Sequence, residues 1–66
     1  MANVIGKNIE KRRLALGMTQ KDLADKVGYI GRSYVCKIEK GVLEPSIKTL
    51  KVIAKILNVD YMELLK

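Results

Sequence analysis

The stretch that decides the fold runs from Thr19 to Gly41 and reads TQKDLADKVG (19–28) followed by YIGRSYVCKIEKG (29–41). In both halves, apolar residues recur at the spacing of one helix face. Thr19 is a favourable N-cap for the first half, and Gly28 stops its helix. The stretch therefore predicts two short helices joined by a turn.

The second of these helices is expected to begin near Gly31 or Arg32 and to end at Lys40. Val35 and Ile38 form its inward face, which leaves the polar residues on the outside. Two helices arranged in this way can place the second one in the major groove of duplex DNA while the first crosses the backbone. The rest of the chain has to support that geometry.

A helix is predicted upstream of this pair, from about Val4 to Leu16. Ile5, Ile9 and Leu16 recur at helical spacing and form its inward stripe. Arg13 falls in the same stripe, although a buried cation is costly unless it has a partner.

Two further helices are predicted downstream. Ser46 caps a fourth helix that Asn58 ends, and Asp60 caps a short fifth one. The apolar stripe of the fourth helix consists of Ile47, Leu50, Ile53, Ala54 and Leu57. The expected fold is thus all-α, a compact five-helix bundle with a central helix-turn-helix, and residues 1–66 form a single DNA-binding domain.

The chain is strongly basic. Its 66 residues include 13 Lys and Arg against 7 Asp and Glu, which gives a net charge of +6 and a pI near 9.7. Such a charge favours polyanionic partners such as nucleic acid, but a soluble basic surface explains it equally well. The cations are spread along the sequence, so the fold must gather them on one face.

Composition excludes several kinds of site. Cys36 is the only cysteine and histidine is absent, so neither an internal disulfide nor a Cys/His zinc site is expected. No cofactor and no metal are predicted. No stretch has the roughly 18 apolar residues of a membrane span, and no signal-peptide pattern precedes the first helix. Together with the thiol, this favours a cytoplasmic protein without membrane contact.

Catalysis is not expected. The chain has no histidine and no phosphate-binding GxxxxGK sequence. Asp22 and Asp25 lie near the start of their helix, where acids offset the helix dipole and Asp22 can complete a capping box with Thr19. Cys36 is best explained as a partly buried small residue. The sequence therefore predicts that the protein is not an enzyme.

A nucleic-acid interface fits the residues better. Arg32, Ser33 and Lys37 project together from the second helix of the pair, and such side chains hydrogen-bond to base edges in the major groove. The alternative is that each is simply a solvated residue on an amphipathic helix. Phosphate contacts are expected from residues that flank this helix: Gln20, Lys21, Tyr34, Lys40, Ser46, Lys48 and Thr49.

Arg13 needs a partner, and Glu39 is the natural one. It lies next to the core residue Ile38 at the end of the second helix of the pair. An ion pair between Arg13 and Glu39 would tie the first helix to the third, and it would fix orientation more than it adds stability.

The chain resembles the lambda-repressor-like (Xre/Cro-type) helix-turn-helix family from about Ile5 to Leu65. The matching elements are Arg13, Gly17, Thr19-Gln20, Leu23-Ala24, Gly28, Ile38-Glu39 with Gly41, Pro45-Ser46, and Leu50, Ala54 and Leu57. The resemblance implies a DNA-binding regulator, usually a homodimer on a near-palindromic operator. It also implies that Gln20 contacts phosphate, that Arg13 and Glu39 form the buried pair, and that the base-reading positions are Arg32, Ser33 and Lys37.

One departure from the family pattern concerns the turn before the third helix. Between Gly28 and Glu39 the chain has one residue more than is usual, which leaves Tyr29-Ile30-Gly31 in place of a shorter turn. Gly31 can serve as N-cap, but it has no side-chain acceptor. The longer turn is expected to shift the recognition helix slightly.

The C-terminal helix offers Tyr61, Met62 and Leu65 as candidates for a dimer interface, although these residues can equally close the core. The leading hypothesis is a dimeric repressor that inserts the third helix into an operator, with duplex DNA as partner and no small-molecule ligand expected. Alternatives are an antitoxin in which DNA binding is secondary, and an adaptor that uses the same fold for protein contacts only.

Overall fold

The computed structural model describes residues 4–66, which form five helices and no strand. The helices are α1 (Val4–Ala15), α2 (Gln20–Val27), α3 (Arg32–Glu39), α4 (Ile47–Ile56) and α5 (Tyr61–Leu64). The predicted all-α five-helix bundle is confirmed, with α1 and α3 each ending one residue earlier than expected. The first three residues of the predicted domain lie outside the described part of the chain.

Side-chain caps begin three of the helices as the sequence predicts. At the start of α2, the Asp22 N–H donates to Thr19 Oγ1 at 3.0 Å, and the Thr19 N–H donates to Asp22 Oδ2 at 2.9 Å. The Thr19 backbone bond lowers the pKa of Asp22. Ser46 and Asp60 accept from backbone N–H groups in the first turns of α4 and α5. These bonds satisfy amide groups that have no partner within their own helix.

The turn between α2 and α3 depends on a glycine. Gly28 has φ +92°, a left-handed conformation that residues other than glycine adopt only with strain. Its N–H donates to the Ala24 carbonyl at 3.0 Å. The chain then passes through Tyr29 and the half-buried Ile30 to Gly31, the N-cap of α3. As expected, no side chain caps α3.

The helices enclose one apolar core. α2 packs against α3 and α4, α1 contacts α3 and α5, and α4 contacts α5. The largest fully buried side chains are Ile9, Leu23, Ile38, Leu50, Ile53, Leu57 and Val35. No helix between residues 4 and 66 has the length and apolar character needed to cross a membrane.

Two apolar residues that were expected in the core are exposed. Leu16 is 42% exposed because α1 ends at Ala15, and Leu16 belongs to the turn that follows rather than to the helical stripe. Ile47 is 57% exposed at the first position of α4 and lies beyond the packed part of its stripe. In both cases the apolar stripe was predicted to include a residue that the neighbouring helices do not cover.

Candidate nucleic-acid interface

α3 has a sharply divided surface. Val35 and Ile38 are buried in the core, whereas Arg32, Ser33 and Lys37 are exposed to solvent. The inward residues fix the rotation of the helix about its axis, because turning it would expose them. The three side chains expected to read bases are therefore all left exposed, and Ser33 and Lys37 lie about one helical turn apart.

A buried ion pair holds the last turn of α3, as predicted. Arg13 donates from Nε to Glu39 Oε2 at 2.7 Å and from Nη2 to Oε1 at 3.0 Å, and its Nη1 donates to the Met18 carbonyl at 2.7 Å. Both residues of the pair are less than a tenth exposed. The hydrogen bond to Glu39 raises the pKa of Arg13, against the opposing effect of burial. The paired charges join the end of α1 to the end of α3 with their polar atoms satisfied.

Gln20 has a partner that the sequence did not indicate. It is the first residue of α2 and half-buried, and its Nε2 donates to Glu39 Oε1 at 3.0 Å. The amide nitrogen carries two N–H groups, and this bond occupies one of them. The other N–H group can donate to a phosphate oxygen, as the predicted contact requires, and the bond to Glu39 fixes the orientation of the amide.

Three lysines of the predicted phosphate contacts are exposed: Lys21, Lys40 and Lys48. Lys21 Nζ lies 2.9 Å from Asp25 Oδ2, and this hydrogen bond raises the pKa of the lysine. The side chains of Lys21 and Asp25 are 72% and 65% exposed, so this ion pair is weak. The Lys21 ammonium group can exchange the carboxylate for a phosphate.

Three hydroxyl groups meet at the start of α4, and we call them the Tyr29–Ser46–Thr49 cluster. Tyr29 Oη lies 3.1 Å from Thr49 Oγ1, and Ser46 Oγ donates to the same Thr49 oxygen at 3.1 Å. Thr49 is only 5% exposed, and both Tyr29 and Ser46 are hydrogen-bonded to its hydroxyl group. Its placement contradicts the direct phosphate contact predicted for it, because the side chain lies beneath the surface. Ser46 is exposed and remains a candidate contact.

Two further side chains of α3 are half-buried. Tyr34 packs against the core, and its predicted phosphate contact stays a prediction. Cys36 is half-buried with a free thiol, consistent with its interpretation as a small packing residue.

The predicted dimer-interface candidates differ in exposure. Met62 is 53% and Leu65 is 40% exposed, but Tyr61 is half-buried and packs against the core, with Lys51 Nζ 5.2 Å from its ring centroid. Leu65 borders a groove of about 220 Å³ whose lining includes Val4, Ile5, Ile38, Leu43 and Pro45 together with the acidic Glu44.

Sequence reasoning missed two side chains that fasten α1 to the C-terminal half. Arg12 Nε donates to the Leu57 carbonyl at 3.0 Å, and Asn8 Nδ2 donates to the Leu64 carbonyl at 3.0 Å. Both acceptors lie at helix ends, where carbonyl groups need external partners. The bonded residues are 45 and 56 positions apart in sequence, so no local sequence pattern predicts these contacts.

The sequence matches known proteins over nearly all of its length. A family model described as "Helix-turn-helix" matches residues 9–64. The uncharacterized HTH-type transcriptional regulator YqaF of Bacillus subtilis is 40% identical over 53 residues, which are 80% of this chain and 68% of YqaF.

Solved structures show the same fold. SinR of Bacillus subtilis, described as the master regulator for biofilm formation and solved in complex with DNA, is 33% identical, with a TM-score of 0.86 over 94% of this chain and 98% of that one. The restriction-modification controller protein C.AhdI from Aeromonas hydrophila is 32% identical, also with a TM-score of 0.86, over 94% of this chain and 90% of that one.

Proposed function

Because this chain belongs to the lambda-repressor-like helix-turn-helix family, we propose that it represses transcription by binding, as a dimer, to a near-palindromic operator. The family and the matched regulators establish the broader function, which is DNA-binding regulation of transcription. These relatives are regulators and not enzymes, which confirms the prediction that the chain is not an enzyme. The operator, the dimer and the contact residues are the proposal.

The observation that carries the proposal is the divided surface of α3. Arg32 and Lys37 are exposed on a helix whose Val35 and Ile38 are fixed in the core. We propose that this exposed surface enters the major groove. There the Arg32 guanidinium and the Lys37 ammonium group donate to guanine O6 and N7, and Ser33 bonds to either kind of base edge.

Contacts to the DNA backbone are proposed on both sides of α3. Gln20 and Lys21 supply them from the start of α2, and Ser46 and Lys48 from the start of α4. Lys40 and Tyr34 add contacts from α3 itself. The net charge of +6 supports such a clamp, since each neutralised phosphate releases counterions.

The exposed apolar side chains of Met62 in α5 and of Leu65, which directly follows that helix, support the proposed dimer. They lie within one turn of each other, and Leu65 borders the groove beside Val4. A second copy packed across this surface would remove these side chains from water. Two-fold symmetry would then place two α3 helices about 34 Å apart, so that they read half-sites one helical turn from each other.

Selection of bound sequences from a random duplex pool tests the proposal. We expect an enriched motif with two inverted half-sites whose centres are about 10 base pairs apart. Sedimentation of the protein on the selected duplex should give two chains per site.

The possible results separate the parts of the proposal. A single half-site bound by one chain would disprove the dimer but retain sequence reading by α3. Binding without any enriched motif would disprove the operator altogether and would favour the alternative in which the fold serves mainly as a protein-binding module.

A further inference from the structure

Tyr29 is an exposed side chain that also makes a hydrogen bond to a distant helix. Its side chain is 56% exposed in the turn between α2 and α3, yet its hydroxyl group lies 3.1 Å from the hydroxyl of the buried Thr49 in the first turn of α4. A tyrosine that served only to cover the core would turn its ring inward. Here the ring spans the surface, and the hydroxyl at its tip bonds to another helix.

Apart from this bond, the segment that Tyr29 fastens is held to the core by the half-buried side chain of Ile30. Gly28 and Gly31 flank the turn, and no side chain caps α3. The buried residues of α3 are Val35, at the end of its first turn, and Ile38 and Glu39, in its last turn. Arg32 and Ser33, which precede these buried residues and are exposed, can therefore shift unless the turn before them is restrained.

We propose that Tyr29 is a positioning residue for sequence recognition. Its bond to Thr49 fastens the turn to α4, so that the first turn of α3 and the start of α4 meet the DNA as one rigid surface. Ser46 donates to the same Thr49 oxygen, so the cluster joins an exposed residue of α4 to the turn that leads into Arg32. This inference rests on the proposed function, since it assumes that α3 reads bases.

Specific and non-specific binding respond differently to such a restraint. Hydrogen bonds to base edges need correct geometry, whereas charge contacts to phosphates tolerate small displacements. Loss of the restraint should therefore weaken binding to the selected sequence and leave binding to unrelated duplex nearly unchanged. A merely structural role would lower the melting temperature without changing the ratio of these two affinities.

The substitution Tyr29→Phe removes the hydroxyl and keeps the ring. We expect it to lower the ratio of affinity for the selected duplex over a scrambled one by roughly three- to tenfold, the equivalent of one modest hydrogen bond. Both affinities are measured by fluorescence anisotropy with the full chain, well below its melting temperature. Thr49→Val provides the partner variant, and Tyr29→Phe should have no further effect on the ratio in that background.

The outcomes distinguish this inference from the function on which it rests. If the unmodified chain selects no sequence, the proposed operator binding fails and the role of Tyr29 fails with it. If the unmodified chain is selective and Tyr29→Phe keeps the ratio within about twofold, only the role of Tyr29 is disproved. A full effect of Tyr29→Phe in the Thr49→Val background also overturns it, because the hydroxyl would then act through another partner.

Discussion

The two helices of the helix-turn-helix unit are secured at opposite ends. α2 is fixed at its first turn, by the capping box of Thr19 and Asp22 and by the bond from Gln20. α3 begins at Gly31 without a side-chain cap and is fixed at its last turn, where Glu39 bonds to Arg13. The motif therefore contains one helix whose first turn has a side-chain cap, which we call a closed start, and one whose first turn has none, which we call an open start.

The two secured ends meet at a single carboxylate. Glu39 accepts from Gln20 of α2 and from Arg13 of α1, so the ends of three helices converge there. Arg32 and Ser33 lie in the first turn of α3, at the opposite end from the junction, and are exposed to solvent. The open start of α3 is thus part of the proposed contact surface, and each prediction below changes one of these ends.

The largest effect is expected from Glu39→Ala, which breaks the junction. Removing one partner leaves the buried Arg13 charge without its carboxylate, which costs about 3–5 kcal/mol of unfolding free energy. For a domain of this size that is a large part of the total, so the variant should melt far below the unmodified chain or not fold at all. Chemical denaturation followed by circular dichroism measures the loss.

Glu63→Ala is the matched control for that experiment. Glu63 also pairs with a cation, Lys66 at 3.1 Å, but their side chains are 56% and 72% exposed. Its removal should cost no more than about 0.5 kcal/mol. Equal losses in the two variants would show that the Glu39 junction does not anchor α3.

The next largest effect concerns the exposed end of α3 and appears in binding rather than folding. Arg32→Ala should relax base preference at one operator position and cost roughly 1–3 kcal/mol of binding free energy there. Stability should change by less than about 0.5 kcal/mol, because the side chain is exposed. Binding to a panel of single-base operator variants measures the preference.

Lys55→Ala is the control for loss of a positive charge. Lys55 is exposed near the end of α4, and the proposal assigns it no contact with DNA. This variant should keep the full base preference. If Arg32→Ala weakens binding equally on every sequence, its guanidinium contacts phosphate and does not read a base.

A smaller effect is expected from opening the start of α2. Thr19→Ala removes the oxygen that accepts from the Asp22 N–H and should lower the free energy of unfolding by about 1 kcal/mol. Thermal denaturation measures the change. A loss below about 0.3 kcal/mol would mean that the closed start of α2 owes little to its side-chain cap.

Local patterns predicted most of the fold. The caps at Thr19, Ser46 and Asp60 and the end of α2 at Gly28 were all identified because each depends on residues within one turn of it. The absence of a side-chain cap at Gly31 was predicted for the same reason. The errors at Leu16 and Ile47 arose where helical spacing was followed beyond the covered part of a helix.

The site was predictable only where a residue's environment follows from its own helix. The exposure of Arg32 and Lys37 follows from the burial of their neighbours, and the partner of Arg13 was inferred because a buried cation requires one. The bond from Gln20 to Glu39 and the covering of Thr49 by Tyr29 depend on how separate helices meet. Neither the spacing of apolar residues along the chain nor the type of a single residue predicts such contacts.

The last prediction gives α3 the kind of start that α2 has. Gly31→Ser should raise the free energy of unfolding by about 0.5–1 kcal/mol, because serine restricts the unfolded chain and its oxygen can accept from an amide in the first turn. The site can accommodate the change. Gly31 has φ −104°, and a Cβ atom built there meets no heavy atom within 4 Å apart from its chain neighbours. Chemical denaturation measures the gain.

Gly28→Ser, only three positions away, is a control in which the sign should reverse. A Cβ atom at Gly28 also meets nothing within 4 Å, but the φ of +92° strains any L side chain and should cost roughly 1–2 kcal/mol. The two variants thus share the same substitution and open space, and they differ in backbone conformation. A loss of stability at Gly31 as well would mean that α3 needs its uncapped glycine to fold, and the contrast between the two helix starts would then reflect a constraint of the turn itself.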